Sequence, residues 1–232
     1  MKSPIASARG FSILELILSA LVIAILVALL AASLGDMRDQ ARQSVTASNL
    51  RSCGLVLHLY ANDWQDGWPA FAKPGNGPTR IETSTGTLDI PAYFASCMLW
   101  PRALADGYFE GNGQSPVVFD ADQVRDQGGV GGSPFLMSCT LLADPAYWSP
   151  ASRAGVFQWR GVRRYEVIHT DKKTLLVSPY AFDRLTRVQP LGTSQPVRVP
   201  LSFVDGSARR LLSGSFRPGV FYGDGTEPGT IH

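Results

Sequence analysis

From Leu16 to Ala32 the chain offers one polar residue, Ser19, and no charge. With Phe11, Ile13 and Leu14 just upstream, the apolar stretch approaches the twenty or so residues that a helix needs to cross a bilayer. A single membrane helix is the direct reading. The ten residues before it, MKSPIASARG, carry Lys2 and Arg9 and no acid. By the positive-inside rule this predicts a cytoplasmic N-terminus, with the bulk of the chain on the other side of the cytoplasmic membrane. The composition as a whole, 232 residues with 45% hydrophobic and 17% charged, excludes a disordered polyelectrolyte or a collagen-like fibre and allows one real core. A net charge of +2 gives no reason to expect nucleic acid as a partner held by bulk charge.

A secretory signal peptide has a similar basic start, but its apolar core is shorter and ends at a small-residue cleavage site. Ala31, Ala32 and Ser33 have that character, so cleavage there, or an uncleaved anchor, stands as the alternative. Against it stands Glu15, near the start of the apolar segment, where a carboxylate costs a few kcal/mol unless it is neutralised, paired or able to reach the interface. A plain signal or anchor has no use for such a residue.

Gly10, then Phe11-Ser12-Ile13-Leu14-Glu15, then the apolar run, resembles the processing site of type IV prepilins and type II secretion pseudopilins. The resemblance implies that a membrane-embedded prepilin peptidase cuts after Gly10 and that the new amine of Phe11 is methylated. It implies also that Glu15 pairs with the N-terminal amine of a neighbouring subunit during assembly. The residues fit this chemistry: Gly10 offers a protease an extended backbone without a side chain, and Glu15 lies four residues from the new cation, on the same helix face. Loss of Lys2 and Arg9 brings the formal charge from +2 to zero.

Helical periodicity continues past the apolar run. Leu34, Met37, Ala41 and Val45 recur at three- and four-residue steps, with charged and amide side chains between them and Ser48 next in the series. The spacing predicts one helix of about fifty residues, some 75 Å long at 1.5 Å per residue, ending near Asn62 before DWQDGWP, where Gly67 and Pro69 act as the stop. Its apolar cluster Leu55, Val56, Leu57, Leu59 and Tyr60 is expected to pack on the globular part. The stretch SNLRSCGLVLHLYANDWQDGWP also resembles a pattern common among prepilin-like proteins, so the resemblance covers about the first 69 residues. Many relatives carry a proline where this chain has Ala32; Gly35 is the remaining weak point, or else the helix stays straighter.

Beyond Phe71 turn signals are dense and the best strands are VFQWR, VRRYEVIH, TLLVSPYAF and VRVPLSFVDGSARRLL. The expected architecture is α+β and pilin-like: a leader at 1–10, a membrane and assembly helix at 11–34, an amphipathic stem helix at 35–62, and a β-rich extracytoplasmic domain at 63–232 whose antiparallel sheet packs on the stem. Val197, Val199, Leu201 and Phe203 alternate before Asp205-Gly206, which predicts a hairpin with Arg209 to Leu212. It resembles the His, nine residues, Asp-Gly hairpin of many prepilin-like proteins, except that Gln195 stands in the histidine's place.

Other chemistry is sparse. Of the three cysteines, Cys53 sits on the stem, so Cys97 with Cys139 is the expected pair if a disulfide forms outside the membrane. His58 reads as a structural histidine, and His169 with Asp171 as a turn at a strand end. Asp120, Asp122 and Asp126, like Asp224 and Glu227, lack the spaced oxygen set of a calcium site and read as solvated turns. The five tryptophans read as core filling. No catalytic residue, cofactor or metal is expected. The sequence therefore predicts a non-enzymatic pilin-like subunit whose partners are prepilin peptidase, other pilin or pseudopilin subunits and the membrane. The rival is a membrane-anchored extracytoplasmic binding module or enzyme.

Overall fold

The computed structural model describes residues 12–75, 77–84, 86–109, 115–119, 135–178, 180–181, 189–190, 198–212 and 215. The chain divides into two units, Met1–Arg42 and Gln43–His232. A long N-terminal helix followed by small antiparallel sheets makes the fold α+β.

The helix, α1, runs Ile13–Asp63. Its alanine- and leucine-rich sequence favours helix throughout, and Gly35 does not interrupt it. It ends one residue beyond the expected Asn62, and the stop differs from the one predicted. Gln65 and Asp66 both adopt the left-handed conformation, with φ of 53° and 61°, and Asp66 N–H donates to Ala61 O at 2.7 Å. Gly67 is needed for another reason: a Cβ there would lie 2.9 Å from an Arg163 guanidinium nitrogen and 3.1 Å from Trp64 O. That guanidinium donates to Trp64 O (3.3 Å) and Gln65 O (3.0 Å), and Arg164 pairs with Asp66 at 2.6 Å. The last turn of α1 has no basic residue of its own, so a remote segment supplies the cations that its free carbonyls and dipole favour.

In the second unit, strands β1 (Thr79–Thr83) and β2 (Gly86–Ile90) form a hairpin, followed by the short helices α2 (Ser96–Ala103) and α3 (Ala105–Tyr108). Then come β3 (Leu136–Met137), β4 (Thr174–Val177), β5 (Tyr180–Ala181), β6 (Gln189–Pro190), β7 (Arg198–Phe203) and β8 (Ala208–Leu212). The main sheet is antiparallel in the order β3-β4-β7-β8, with a bulge in β4 between Thr174 and Leu176; β5 pairs with β6 separately. As expected, the sheet packs on the C-terminal part of the stem. A Cβ on Gly54 would stand 3.8 Å from Leu175 Cδ2 and 4.0 Å from Ser202 Oγ. The main core lies there, with Leu50, Leu57, Trp100, Phe135, Met137 and Leu175 fully buried. The alternating Val199, Leu201 and Phe203 belong instead to a second cluster, with Leu136 and Val177.

Two expected strands are absent. VFQWR is the 3-10 turn Gly155–Gln158, and VRRYEVIH holds only a bridge of Arg163 to Gly67 and a second 3-10 turn, Arg164–Glu166. Side chains satisfy the backbone locally here: Gln158 Oε1 accepts from Ala154 N–H at 2.6 Å, and a Glu166 carboxylate oxygen accepts from Arg163 N–H at 2.7 Å. Such bonds compete with ladder pairing.

The β7–β8 hairpin closes on Asp205-Gly206 as expected. Gly206 has φ of +82°, and Asp205 Oδ1 accepts from Ser207 N–H at 2.8 Å. Because a Cβ disfavours that φ, Gly206→Ala is expected to lower stability by about 1 kcal/mol or more, read as a lower urea midpoint at unchanged slope. An unchanged midpoint would refute the strain argument, since nothing lies within 4 Å of a Cβ at that position to confound it.

Candidate functional site

Gly10 and Phe11 lie outside the described residues. The site therefore begins at Ser12, where α1 is capped by a reciprocal pair. Ser12 Oγ accepts from Leu14 N–H at 3.3 Å, and Glu15 Oε2 accepts from Ser12 N–H at 2.9 Å. The spacing is that of a capping box, Ser-x-x-Glu, with the serine taking the second helical N–H in place of the third. The assembly role expected of Glu15 does not account for Ser12; the Ser-x-x-Glu spacing carries that second role. Glu15 is exposed, in the first turn of α1, where the helix dipole favours an anion.

From Ile13 onward the apolar side chains point outward on every face: Ile13 is 80% exposed, and the large residues through Leu30 are about half exposed or more. Burying one such side chain is worth roughly 1.5–3 kcal/mol, so this surface needs an apolar environment. The helix is long and apolar enough to cross a membrane. Its hydroxyls are satisfied within it, Ser19 Oγ donating to Leu16 O and Ser33 Oγ to Leu30 O, both at 2.9 Å. A spanning helix must satisfy its polar groups in this way.

Along the stem the buried stripe is Thr46, Leu50, Cys53, Leu57 and Ala61, at helical spacing. The predicted packing cluster is only partly inside: Leu57 is buried and Val56 and Tyr60 are half-buried, while Leu55 and Leu59 are 62% and 48% exposed. Five apolar residues in a six-residue run cover more than one helix face, and the small residues Cys53, Gly54 and Ala61 mark the one where other elements approach. Met37 and Val45 are exposed as well.

All three cysteines are free, buried thiols in the structure. Cys53 is buried; its thiol donates to Val117 O at 3.3 Å, and burial pushes its pKa up to about 12. The neighbouring Cys97 thiol, together with burial, raises the Cys139 pKa well above the ordinary thiol range. A thiol so placed is a poor nucleophile.

His58 is half-buried and edge-on to Trp68 at 5.5 Å between ring centroids. Burial, helped by Arg164, lowers its pKa despite the nearby Val204 backbone and Asp205. A depressed histidine stabilises the fold above its unfolded pKa, and that contribution falls away as pH drops from about 6.5 toward the folded value. Urea midpoints are therefore expected to fall across that window, and His58→Gln to remove part of the fall. Equal slopes in both proteins would refute it.

His169 and Asp171 form the turn expected before β4, with Lys172 and Lys173 N–H donating to His169 O. Trp68 and Trp100 are buried, and Trp148 and Trp159 join Tyr93, Phe94 and Tyr147 in an aromatic cluster; Trp64 is exposed and stacks on Tyr60. Asp120, Asp122, Asp126, Gln195, Asp224 and Glu227 lie outside the described residues. Among the described residues no group of three or more His, Cys, Asp or Glu converges as metal ligands would. Comparison of the chain with protein-family models, with curated proteins and with solved structures gave no match in any of the three.

Proposed function

We propose that this chain is a pilin-like structural subunit. In this reading it is cleaved after Gly10 by a prepilin peptidase, methylated on the Phe11 amine, and held in the cytoplasmic membrane with its N-terminus inside and its globular domain outside. It assembles through its N-terminal helix with other pilin or pseudopilin subunits, into a type II secretion pseudopilus or a type IV pilus-like filament. One observation carries the reading: an apolar helical segment exposed on every face through Leu30, whose first turn holds a single carboxylate, Glu15, four residues after Phe11. The reading gives the chain no catalytic step and no cofactor. Sequencing of the N-terminus by mass spectrometry, on protein from membranes of the native cell, tests it. The expected terminus is Phe11 bearing one added methyl; a terminus at Met1, or after Ala32 or Ser33, overturns it.

The capping box supports a second reading, a membrane-anchored extracytoplasmic binding module or enzyme. There Glu15 serves only its own helix, through its bond to Ser12, and the globular domain works without a filament. The two readings differ in what the charge of Glu15 is for.

A further inference from the structure

Cys97 and Cys139 come from separate segments of the second unit. Cys97 is the second residue of α2, and Cys139 opens the 3-10 turn after β3. A buried hydrogen bond ties these segments together: Trp100 Nε1 donates to Phe135 O at 2.8 Å, three residues after Cys97 and four before Cys139. Both cysteine side chains are buried in the same core cluster, and Cys97 lies near enough to Cys139 to raise its pKa. The third thiol, Cys53, is committed to the Val117 carbonyl. Of the three pairings open to three cysteines, the fold assembles this one.

We propose that Cys97 and Cys139 are joined by a disulfide in the exported protein, and that the bond closes before the core does. The proposal rests on the extracytoplasmic placement of the domain, since a reducing compartment keeps such a pair as thiols. The oxidant is a disulfide-bearing thiol oxidoreductase of that compartment. One cysteine thiolate attacks the oxidoreductase disulfide and forms a mixed disulfide; the second displaces the oxidoreductase sulfur. The Cys97–Cys139 bond forms, the oxidoreductase disulfide is reduced to a dithiol by two electrons, and the two thiol protons pass to its sulfurs. Attack needs an accessible sulfur, and in the folded chain both are buried. Exchange therefore precedes burial, and a chain that folds before meeting the oxidant keeps its thiols.

Thiol counting on the full-length protein tests this. Exported protein is denatured in a maleimide reagent, with and without prior reduction, and its peptides are analysed by mass spectrometry. One reactive thiol, Cys53, is expected before reduction and three after it, together with a Cys97–Cys139 linked peptide lighter by two hydrogens. Cys53→Ser, which leaves the pair intact, is expected to show none before reduction and two after. Three thiols in exported protein overturn the proposal. A parallel sample, refolded in a glutathione redox buffer, locates the failure. A bond formed there but missing from cells overturns the proposal while leaving the pairing sound: the chain then either folds before it meets the oxidant or meets none. A bond formed in neither overturns the pairing alone.

Discussion

Glu15→Leu is expected to leave the chain in the membrane at an undiminished level and to remove it from the filament. Leucine erases the cost of a carboxylate in the apolar segment, a few kcal/mol, so insertion does not suffer. What disappears is the partner for the neighbouring subunit's amine. Leaving one member of a buried ion pair without the other costs about 3–5 kcal/mol, which corresponds to about a hundredfold or more in incorporation. The capping box means that leucine alone is an incomplete test, because it also deletes the acceptor for Ser12 N–H. Glu15→Gln separates the two roles. Glutamine serves a capping box as glutamate does but carries no charge. Incorporation measured by immunoblot of sheared filaments is expected to fall as far for Gln as for Leu. Wild-type incorporation of the Gln variant would reduce Glu15 to a cap and favour the anchored-module reading.

Trp100→Ala is expected to be the most damaging single change in the globular unit. The indole is fully buried, its ring lies 5.8 Å from that of Phe109, and its Nε1 holds Phe135 O at 2.8 Å. Truncation costs about 3–5 kcal/mol for the lost packing and cavity, with about 1–3 kcal/mol more if the buried carbonyl finds no other donor. Domains of this kind are stable by roughly 5–15 kcal/mol in total. The variant is therefore expected to be partly unfolded or degraded, while Trp100→Phe, which keeps most of the ring but not the donor, should fall between. Urea unfolding of the detergent-extracted full chain, followed by near-UV circular dichroism, measures both. A Trp100→Ala protein within about 1 kcal/mol of wild type would show that Trp100 does not organise this core.

The N-terminal segment was legible because its information is local. The helix, its apolar run and its end near residue 62 follow from side-chain character along a single stretch. The Ser12–Glu15 cap is equally local, since both partners lie within one turn. The Asp205-Gly206 hairpin was readable for the same reason, since a two-residue turn that needs a positive φ writes itself into the sequence. The missing strands at 156–169 show the limit. Val156, Trp159, Val162 and Val167 look strand-like, but Gln158, Arg163 and Glu166 bind backbone groups near them or across the fold, and the segment spends itself in turns and in closing the end of α1.

By itself the sequence determined that a long helix would begin in an apolar run, carry a carboxylate in its first turn, stop before DWQDGWP, and be followed by short strands and a tight hairpin. Only the tertiary structure decided which face of that helix is buried, that Arg163 closes its C-terminal end, and that Tyr93, Phe94, Tyr147, Trp148 and Trp159 cluster. The physical reason is range. Helix caps, turns and hydrophobic runs are set by hydrogen bonds and side chains within a few residues, whereas a buried face or a thiol pair is set by whatever distant segment the chain brings back against it. Cys53, Gly54 and Ala61 gain their meaning only from the elements that pack on them.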